Sequence, residues 1–116
     1  MVSIKNSIPE LVLWIWRKRL RFRVKGLSMT PLLKPGEEIL IDPRAYRHIP
    51  PKVGDIVVAR HPYQNHLRLV KRVTLVLEDG RCFLKGDNPL VKSTDSRSFG
   101  LVDSQHIIGK VTSRFF

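Results

Sequence analysis

An alternating run from residue 67 to residue 77 constrains the fold of this chain more than any other feature. It reads Leu-Arg-Leu-Val-Lys-Arg-Val-Thr-Leu-Val-Leu, with apolar side chains at nearly every odd position and Arg68, Arg72 and Thr74 at even ones. Alternation with a period of two is typical of a half-buried β-strand. The exception is Lys71, which falls on the apolar side and is therefore predicted to point inward.

The predicted burial of Lys71 would change its acid–base chemistry. Loss of hydration disfavours the ammonium form, and complete burial can lower the pKa of a lysine by up to about 3 to 5 units. A lysine that is neutral at physiological pH can accept a proton as a general base. Lys71 is therefore a candidate catalytic residue.

The remainder of the chain also has the pattern of strands and turns. Further strands are predicted at about residues 20–25, 37–42, 54–60, 81–85 and 106–115, with a hairpin turn at 78–81. Ser7 followed by Glu10 resembles a capping box, which predicts a short helix within residues 1–19. A chain of 116 residues fits one domain. We predict a single domain (1–116) that is mainly β: a partly closed antiparallel β-barrel or coiled sheet over 20–116, preceded by one short N-terminal helix.

A candidate nucleophile lies in the turn over residues 26–31, Gly-Leu-Ser-Met-Thr-Pro. Turns bounded by glycine and proline hold a side chain on a rigid bend. A serine hydroxyl becomes a good nucleophile when a neighbouring base takes its proton, and Ser-Lys pairs are one solution to that problem. Ser28 and Lys71 together therefore suggest acyl transfer, most simply peptide hydrolysis.

Four segments, in the same order, resemble the sequence boxes of the signal peptidase I family of Ser-Lys peptidases. They are the serine box at 26–36, the strand that precedes the lysine at 54–58, the lysine box at 70–73, and the last box at 86–88 with 93–100. Four ordered boxes are far more specific than a single motif. The resemblance implies a largely β fold of the signal peptidase and self-cleaving repressor type, without the large domain that bigger members insert after the lysine box.

The resemblance also implies a role for each matching residue. Ser28 would be the nucleophile, with its backbone N–H as an oxyanion donor, and Lys71 would be the general base. Ser93 matches a serine whose hydroxyl helps to hold the lysine nitrogen. Asp95 and Arg97 match a supporting ion pair near the site.

Two positions depart from the family pattern. Gly26 stands where some members have a serine that donates a second oxyanion hydrogen bond, although other members also have glycine. Such a donor is typically worth about 2.7 to 4 kcal/mol of transition-state stabilisation. Residues 89–92 make the spacing from Gly-Asp-Asn to Ser93 one residue longer than usual. The order of the boxes further suggests that Asp87 faces Arg72.

The chain is strongly basic, with 21 Lys and Arg against 10 Asp and Glu and a formal net charge of +11. This charge favours acidic partners, which could be nucleic acid, anionic lipid or an acidic substrate. No helix-turn-helix pattern is visible, so no specific nucleic acid is expected. The apolar stretch of Leu11 to Trp16 plus Ile8 is less than half of the roughly 20 residues needed to span a bilayer, so no transmembrane helix is predicted. The N-terminal helix would either pack on the core or lie on an anionic membrane surface.

The histidines and the cysteine give no metal-binding pattern. His48, His61, His66 and His106 have no ligand spacing with each other or with Cys82 and are expected on the surface or in loops. We predict no metal and no cofactor. A single cysteine cannot form an internal disulfide, which fits a reducing compartment, and Cys82 is expected to be a small core residue. A cytoplasmic location is expected, with peripheral membrane association as an option.

Within the family, the small size, the lack of a predicted membrane anchor and the compact lysine box most resemble the maturation proteases of nickel-type superoxide dismutase. That resemblance implies removal of a short N-terminal segment from the dismutase precursor by a protease that itself needs no metal. Two alternatives remain open. One is a membrane-docked signal or leader peptidase, and the other is an inactive binding module that uses its basic face on nucleic acid or acidic protein.

Overall fold

The strands lie where the alternating patterns predict them. The computed structural model describes residues 18–114, so the helix predicted within residues 1–19 falls outside the described residues except for Lys18 and Arg19, which form a turn. The elements are β1 (Leu20–Arg23), β2 (Glu38–Asp42), β3 (Ile56–His61), β4 (Gln64–Val76), β5 (Cys82–Lys85), α1 (Ser96–Phe99), a 3-10 turn (Ser104–His106) and β6 (Ile107–Arg114). The prediction of a mainly β chain is confirmed.

The six strands form one antiparallel sheet in the order β1-β2-β6-β3-β4-β5. The sheet is open, with β1 and β5 at its two edges and no pairing between them. β6 is the last strand within residues 18–114, yet it lies between β2 and β3. Within the sheet, the β1–β2 hairpin is therefore joined to β3, β4 and β5 only through β6.

Two apolar clusters cover the two faces of the sheet. Neighbouring residues of a strand point to opposite faces, and Val57 and Val58 accordingly belong to different clusters. The first cluster consists of Val24, Met29, Leu33, Ile39, Ile41, Val58 and Val70. The second consists of Val57, Ala59, Val73, Cys82, Leu84 and Val102, with Tyr46 and Phe99 packed against it. The segment after β1 thus packs on one face, and α1 contributes to the cover of the other.

The alternation in β4 is interrupted after Val73. A shift of register opposite β5 lies between Val73 and Leu75, which pair with Leu84 and Phe83. One extra residue in a strand turns the following side chains to the other face. Leu75, predicted to be buried, is therefore 48% exposed, and Val76 packs on the second cluster instead.

One histidine differs from its predicted surroundings. His61, expected on the surface or in a loop, is buried at the end of β3. Its Nδ1 accepts a hydrogen bond from the backbone N–H of Tyr63 at 3.0 Å, and its ring packs edge-on against Phe99 with 4.7 Å between ring centroids. Burial is tolerated because the ring nitrogen is paired and the ring faces are apolar. Cys82 is fully buried in the second cluster, as predicted.

Candidate active site

Ser28 is held by the loop that connects β1 with β2. Two hydrogen bonds close this loop at its base, from the N–H of Val24 to the oxygen of Glu37 and from the N–H of Gly36 to the oxygen of Val24, both at 2.8 Å. Met29 and Leu33 anchor it in the first cluster. Since Met29 is buried and Leu27 is exposed, Ser28 lies at the boundary between core and solvent. Gly26 has a φ of 78°, in the left-handed region that glycine adopts without strain.

Lys71 reaches the serine from β4. Its side chain is in the core, with the whole residue 3% exposed, so the predicted inward orientation is confirmed. Its Nζ lies 2.9 Å from the Oγ of Ser28. Burial lowers the pKa of Lys71, the carboxylate of Asp95 opposes this effect, and the guanidinium of Arg97 adds to it. A neutral Nζ at this distance can accept the proton of the serine hydroxyl.

Asp95 organises the groups around the lysine. It is 0% exposed, and it caps α1 by accepting from the N–H of Arg97 at 3.0 Å. It also accepts from the Arg97 side chain at 3.0 and 2.7 Å and from the N–H of Gly86 at 3.0 Å. Burial alone would raise the pKa of Asp95, but these hydrogen bonds hold it well below its usual range. Asp95 and Arg97 thus form the ion pair that the sequence suggests.

Ser93 belongs to the same network. Its hydroxyl donates to Asp95 at 3.0 Å and accepts from Nη2 of Arg97 at 3.4 Å. Among residues 18–114 no hydrogen bond joins it to Lys71, so a direct contact with the lysine nitrogen stays a prediction. Ser93 nevertheless lies close to Ser28, and Gly86 is the residue that separates them. A Cβ on Gly86 would come within 2.9 Å of the Ser93 Oγ and 3.1 Å of the Ser28 Cβ.

The Asp87–Arg72 pairing suggested by the order of the boxes is confirmed. Nε and Nη2 of Arg72 donate to the two carboxylate oxygens of Asp87, each at 2.9 Å. A third donor of Arg72, Nη1, bonds the backbone oxygen of Gly54 at 2.8 Å. The pair fixes the segment after β5 to the strand that carries the lysine.

Asn88 is the residue near the dyad for which the sequence suggested no separate role. Its Nδ2 donates to the backbone oxygen of Leu27 at 3.2 Å and to Oγ1 of Thr30 at 2.6 Å. Its own N–H donates to the backbone oxygen of Ser28 at 2.8 Å, and its Oδ1 accepts from the N–H of Leu90 at 2.9 Å. Asn88 therefore holds the backbone on both sides of Ser28. The Gly-Asp-Asn box pointed to the position, but its partners lie about 60 residues away in the sequence.

The backbone around Ser28 offers one oxyanion donor. No acceptor within residues 18–114 takes the N–H of Ser28, so it is available to a substrate. Both hydrogens of the Asn88 amide are already used, which excludes that side chain as a second donor in this arrangement. Over the same range, no group of three His, Cys, Asp or Glu residues could hold a metal ion. No helix in the described part of the chain is long and apolar enough to cross a membrane.

Comparison with known proteins agrees with this geometry. The family described as "Signal peptidase, peptidase S26" matches residues 11–76 and 74–116. A probable signal peptidase I-1 of Synechocystis sp. is 29% identical over 163 aligned residues, covering 97% of this chain and 83% of that protein. Subunit 1b of a mitochondrial ATP-independent inner membrane protease of Arabidopsis thaliana is 33% identical over 111 residues, covering 77% of this chain and 65% of that protein. The chain thus belongs to peptidase family S26, the signal peptidase family, and is a serine peptidase.

Proposed function

We propose that this chain is an endopeptidase of the signal- or leader-peptidase kind, which cuts precursor proteins with Ser28 as nucleophile and Lys71 as general base. The observation that carries the proposal is the 2.9 Å contact between Lys71 Nζ and Ser28 Oγ in a buried setting. The relatives support the substrate class, because one is named a probable signal peptidase and the other an inner membrane protease.

The reaction follows from the positions of these two side chains. Neutral Lys71 takes the proton of Ser28 as Oγ attacks the carbonyl carbon of the scissile peptide bond. The negative charge that develops on the carbonyl oxygen is stabilised by the free N–H of Ser28. Protonated Lys71 then gives its proton to the leaving amine, and an acyl-enzyme remains. Water releases the acyl group by the same route, with Lys71 again acting as base.

Docking on a membrane surface has additional support near the nucleophile. Leu27, Leu32 and Leu90 are exposed, the last at 93%, and they belong to the serine loop and to the segment that Asn88 ties to it. Exposed leucines beside a basic surface suit contact with anionic lipid or with the apolar part of a leader. We therefore favour a peripheral enzyme. Binding to anionic vesicles at low salt checks this, and a protein that stays in the supernatant would contradict it.

Maturation of nickel-type superoxide dismutase is a narrower proposal for the same dyad. It is favoured by the short connection between β4 and β5, at residues 77–81, where larger members of the family insert a domain after the lysine box. Because the dismutase proposal depends only on a similarity of size, we rank it below the leader-peptidase proposal. The two proposals share one mechanism and differ only in the precursor that is cut.

The test is cleavage of two precursors, one with a leader peptide and one the nickel dismutase precursor, with products identified by mass spectrometry. Ser28→Ala and Lys71→Ala are expected to abolish cutting, while the matched controls Ser104→Ala and Lys52→Ala, both exposed and outside the site, retain it. Cutting of only one precursor selects the substrate class. Cleavage that survives Ser28→Ala would refute the dyad.

A further inference from the structure

A shallow cleft lies beside the dyad, along the edge formed by β5 and the segment that follows it. Its volume is ≈ 250 Å³, and its lining residues are Thr74, Lys85, Gly86, Asp87, Pro89 and Arg97. One lining residue, Gly86, adjoins the proposed nucleophile, because a Cβ added to Gly86 would be 3.1 Å from the Ser28 Cβ. A peptide bound at Ser28 therefore has a side-chain position within reach of the cleft.

The acidic groups of the cleft are already neutralised. Both carboxylate oxygens of Asp87 accept hydrogen bonds from Arg72. Asp95, which pairs with Arg97 behind the cleft, is 0% exposed and receives hydrogen bonds on both of its oxygens. Neither carboxylate is free to bind a cation from a substrate.

The basic groups of the cleft keep unused donors. Arg97 donates to Asp95 through Nε and Nη2, while its Nη1 meets no acceptor within residues 18–114. Lys85 is exposed, and its ammonium has no partner in the same range. Thr74 uses its hydroxyl hydrogen on the backbone oxygen of Phe83 at 3.1 Å, so the ammonium is the principal free charge of the cleft.

We infer that this cleft is a substrate subsite for an acidic side chain, Asp or Glu, close to the scissile bond, with Lys85 as the residue that selects it. The inference rests on the proposed peptidase function and adds a specificity to it. A carboxylate in the cleft would receive a hydrogen bond from the Lys85 ammonium, and charged partners make the stronger bonds, whereas the charge of Arg97 is already balanced by Asp95. A neutral side chain leaves Lys85 in water at no cost, so the subsite favours acidic substrates without excluding others.

The test compares a glutamate with its uncharged isostere. One cleaved peptide is remade with Glu or Gln at each of three positions on either side of the cut, and kcat/KM is measured for each. We expect one position at which Glu is preferred over Gln on the order of fivefold, as for a partly exposed ion pair. Lys85→Gln should remove this ratio, and Lys85→Glu should reverse it in favour of Lys at that position. The control Lys52→Gln, an exposed lysine outside the cleft, should keep the ratio of the unmodified protein.

Binding measurements separate this proposal from the proposed catalysis. Calorimetry on the Ser28→Ala variant should show tighter binding of the Glu peptide than of the Gln peptide, and the added Lys85→Gln substitution should remove the difference. Equal binding of the two peptides, including none of either, overturns the subsite. So does a preference for Glu that survives Lys85→Gln. Failure of the dyad would appear instead as cleavage that Ser28→Ala does not abolish.

Discussion

At the scale of single residues, the proposed nucleophile, Ser28, is positioned by contact as well as by hydrogen bonding. Gly86 lies between Ser28 and Ser93, and any Cβ there would be 3.1 Å from the backbone oxygen of Ser28 and 2.9 Å from the hydroxyl oxygen of Ser93. The hydroxyl of Ser93 could rotate away from an added Cβ. The backbone of Ser28 cannot move away without shifting the Ser28 Oγ relative to Lys71.

Gly86→Ala is therefore expected to lower kcat by about 10- to 100-fold, because small displacements of reacting groups are costly to rate. Steady-state kinetics checks this. The matched control is Gly80→Ala, in the hairpin turn between β4 and β5, where φ is 90° and no atom lies within 4 Å of an added Cβ. That control should lower the melting temperature and leave kcat unchanged. A Gly86→Ala variant with normal kcat would show that the serine segment adapts.

Arg97→Gln should change the pH dependence of the enzyme. In the proposed mechanism activity requires neutral Lys71. Burial lowers the pKa of Lys71, while Asp95 raises it and Arg97 lowers it further. Loss of the guanidinium removes one lowering charge and leaves the Asp95 carboxylate unpaired, so the pKa of Lys71 rises. The acidic limb of the kcat/KM profile should then move to higher pH. Arg97→Lys retains the positive charge and should shift the acidic limb less than Arg97→Gln does. If the acidic limb of Arg97→Gln stays in place or moves to lower pH, the assignment of Lys71 as base is contradicted.

At the scale of elements, the site depends on ties between two loops. The segment after β5 forms hydrogen bonds with the serine loop through the backbone and side chain of Asn88. The same segment is joined to β4 by the ion pair between Asp87 and Arg72. The lysine strand and the serine loop are thereby attached to the same short segment. The distance between Lys71 Nζ and Ser28 Oγ is set by these ties in addition to the sheet.

Asn88→Ala is expected to destabilise the protein by about 1 to 3 kcal/mol, since the hydrogen bonds from the Asn88 amide to the Leu27 carbonyl and the Thr30 hydroxyl are lost. It should also lower kcat more than it raises KM, because Asn88 holds the backbone around the serine rather than the substrate. Urea unfolding and steady-state kinetics measure the two effects. Thr30→Ser keeps the hydroxyl and is expected to behave normally. Full activity of Asn88→Ala would exclude the positioning role.

The sequence predicted the elements better than it predicted the contacts between them. All six strands were predicted within about three residues of their bounds, because period-two alternation and turn residues act locally. The shift after Val73 could not be predicted, because the apolar pattern continues through it and only pairing with β5 creates it. The four-residue helix α1 was missed for a similar reason: it depends on Asp95 as a cap, and that residue is buried by tertiary packing.

At the scale of the whole molecule, the proposed catalytic pair joins parts of the sheet that are not neighbours. Ser28 follows β1 and Lys71 lies on β4, and three strands separate these in the sheet. The residues could be assigned from their boxes. Their separation of 2.9 Å could not be derived from the sequence pattern, because it depends on the coiling of the sheet and on how the serine loop packs over it.

The net charge of +11 acts on the molecule as a whole. A basic protein attracts acidic substrates at long range, and salt screens that attraction over a Debye length of about 10 Å at 0.1 M. We expect kcat/KM for a peptide with net negative charge to fall several-fold as NaCl rises from about 0.02 to 0.5 M, whereas a neutral peptide cut at the same bond responds little. Equal salt responses of the two peptides would show that long-range steering is absent.

The central place of β6 has a consequence for biosynthesis. Two parts of the sheet are made before β6: the β1–β2 hairpin, whose loop carries Ser28, and the strands β3 to β5, which include the lysine strand. β6 pairs with β2 of the first part and with β3 of the second, and it is the last strand within residues 18–114. A growing chain therefore carries Ser28 and Lys71 before the sheet can hold them together. Among residues 18–114, the sheet is therefore complete only after its last strand has been made, and the order of strands places assembly of the proposed dyad late in synthesis.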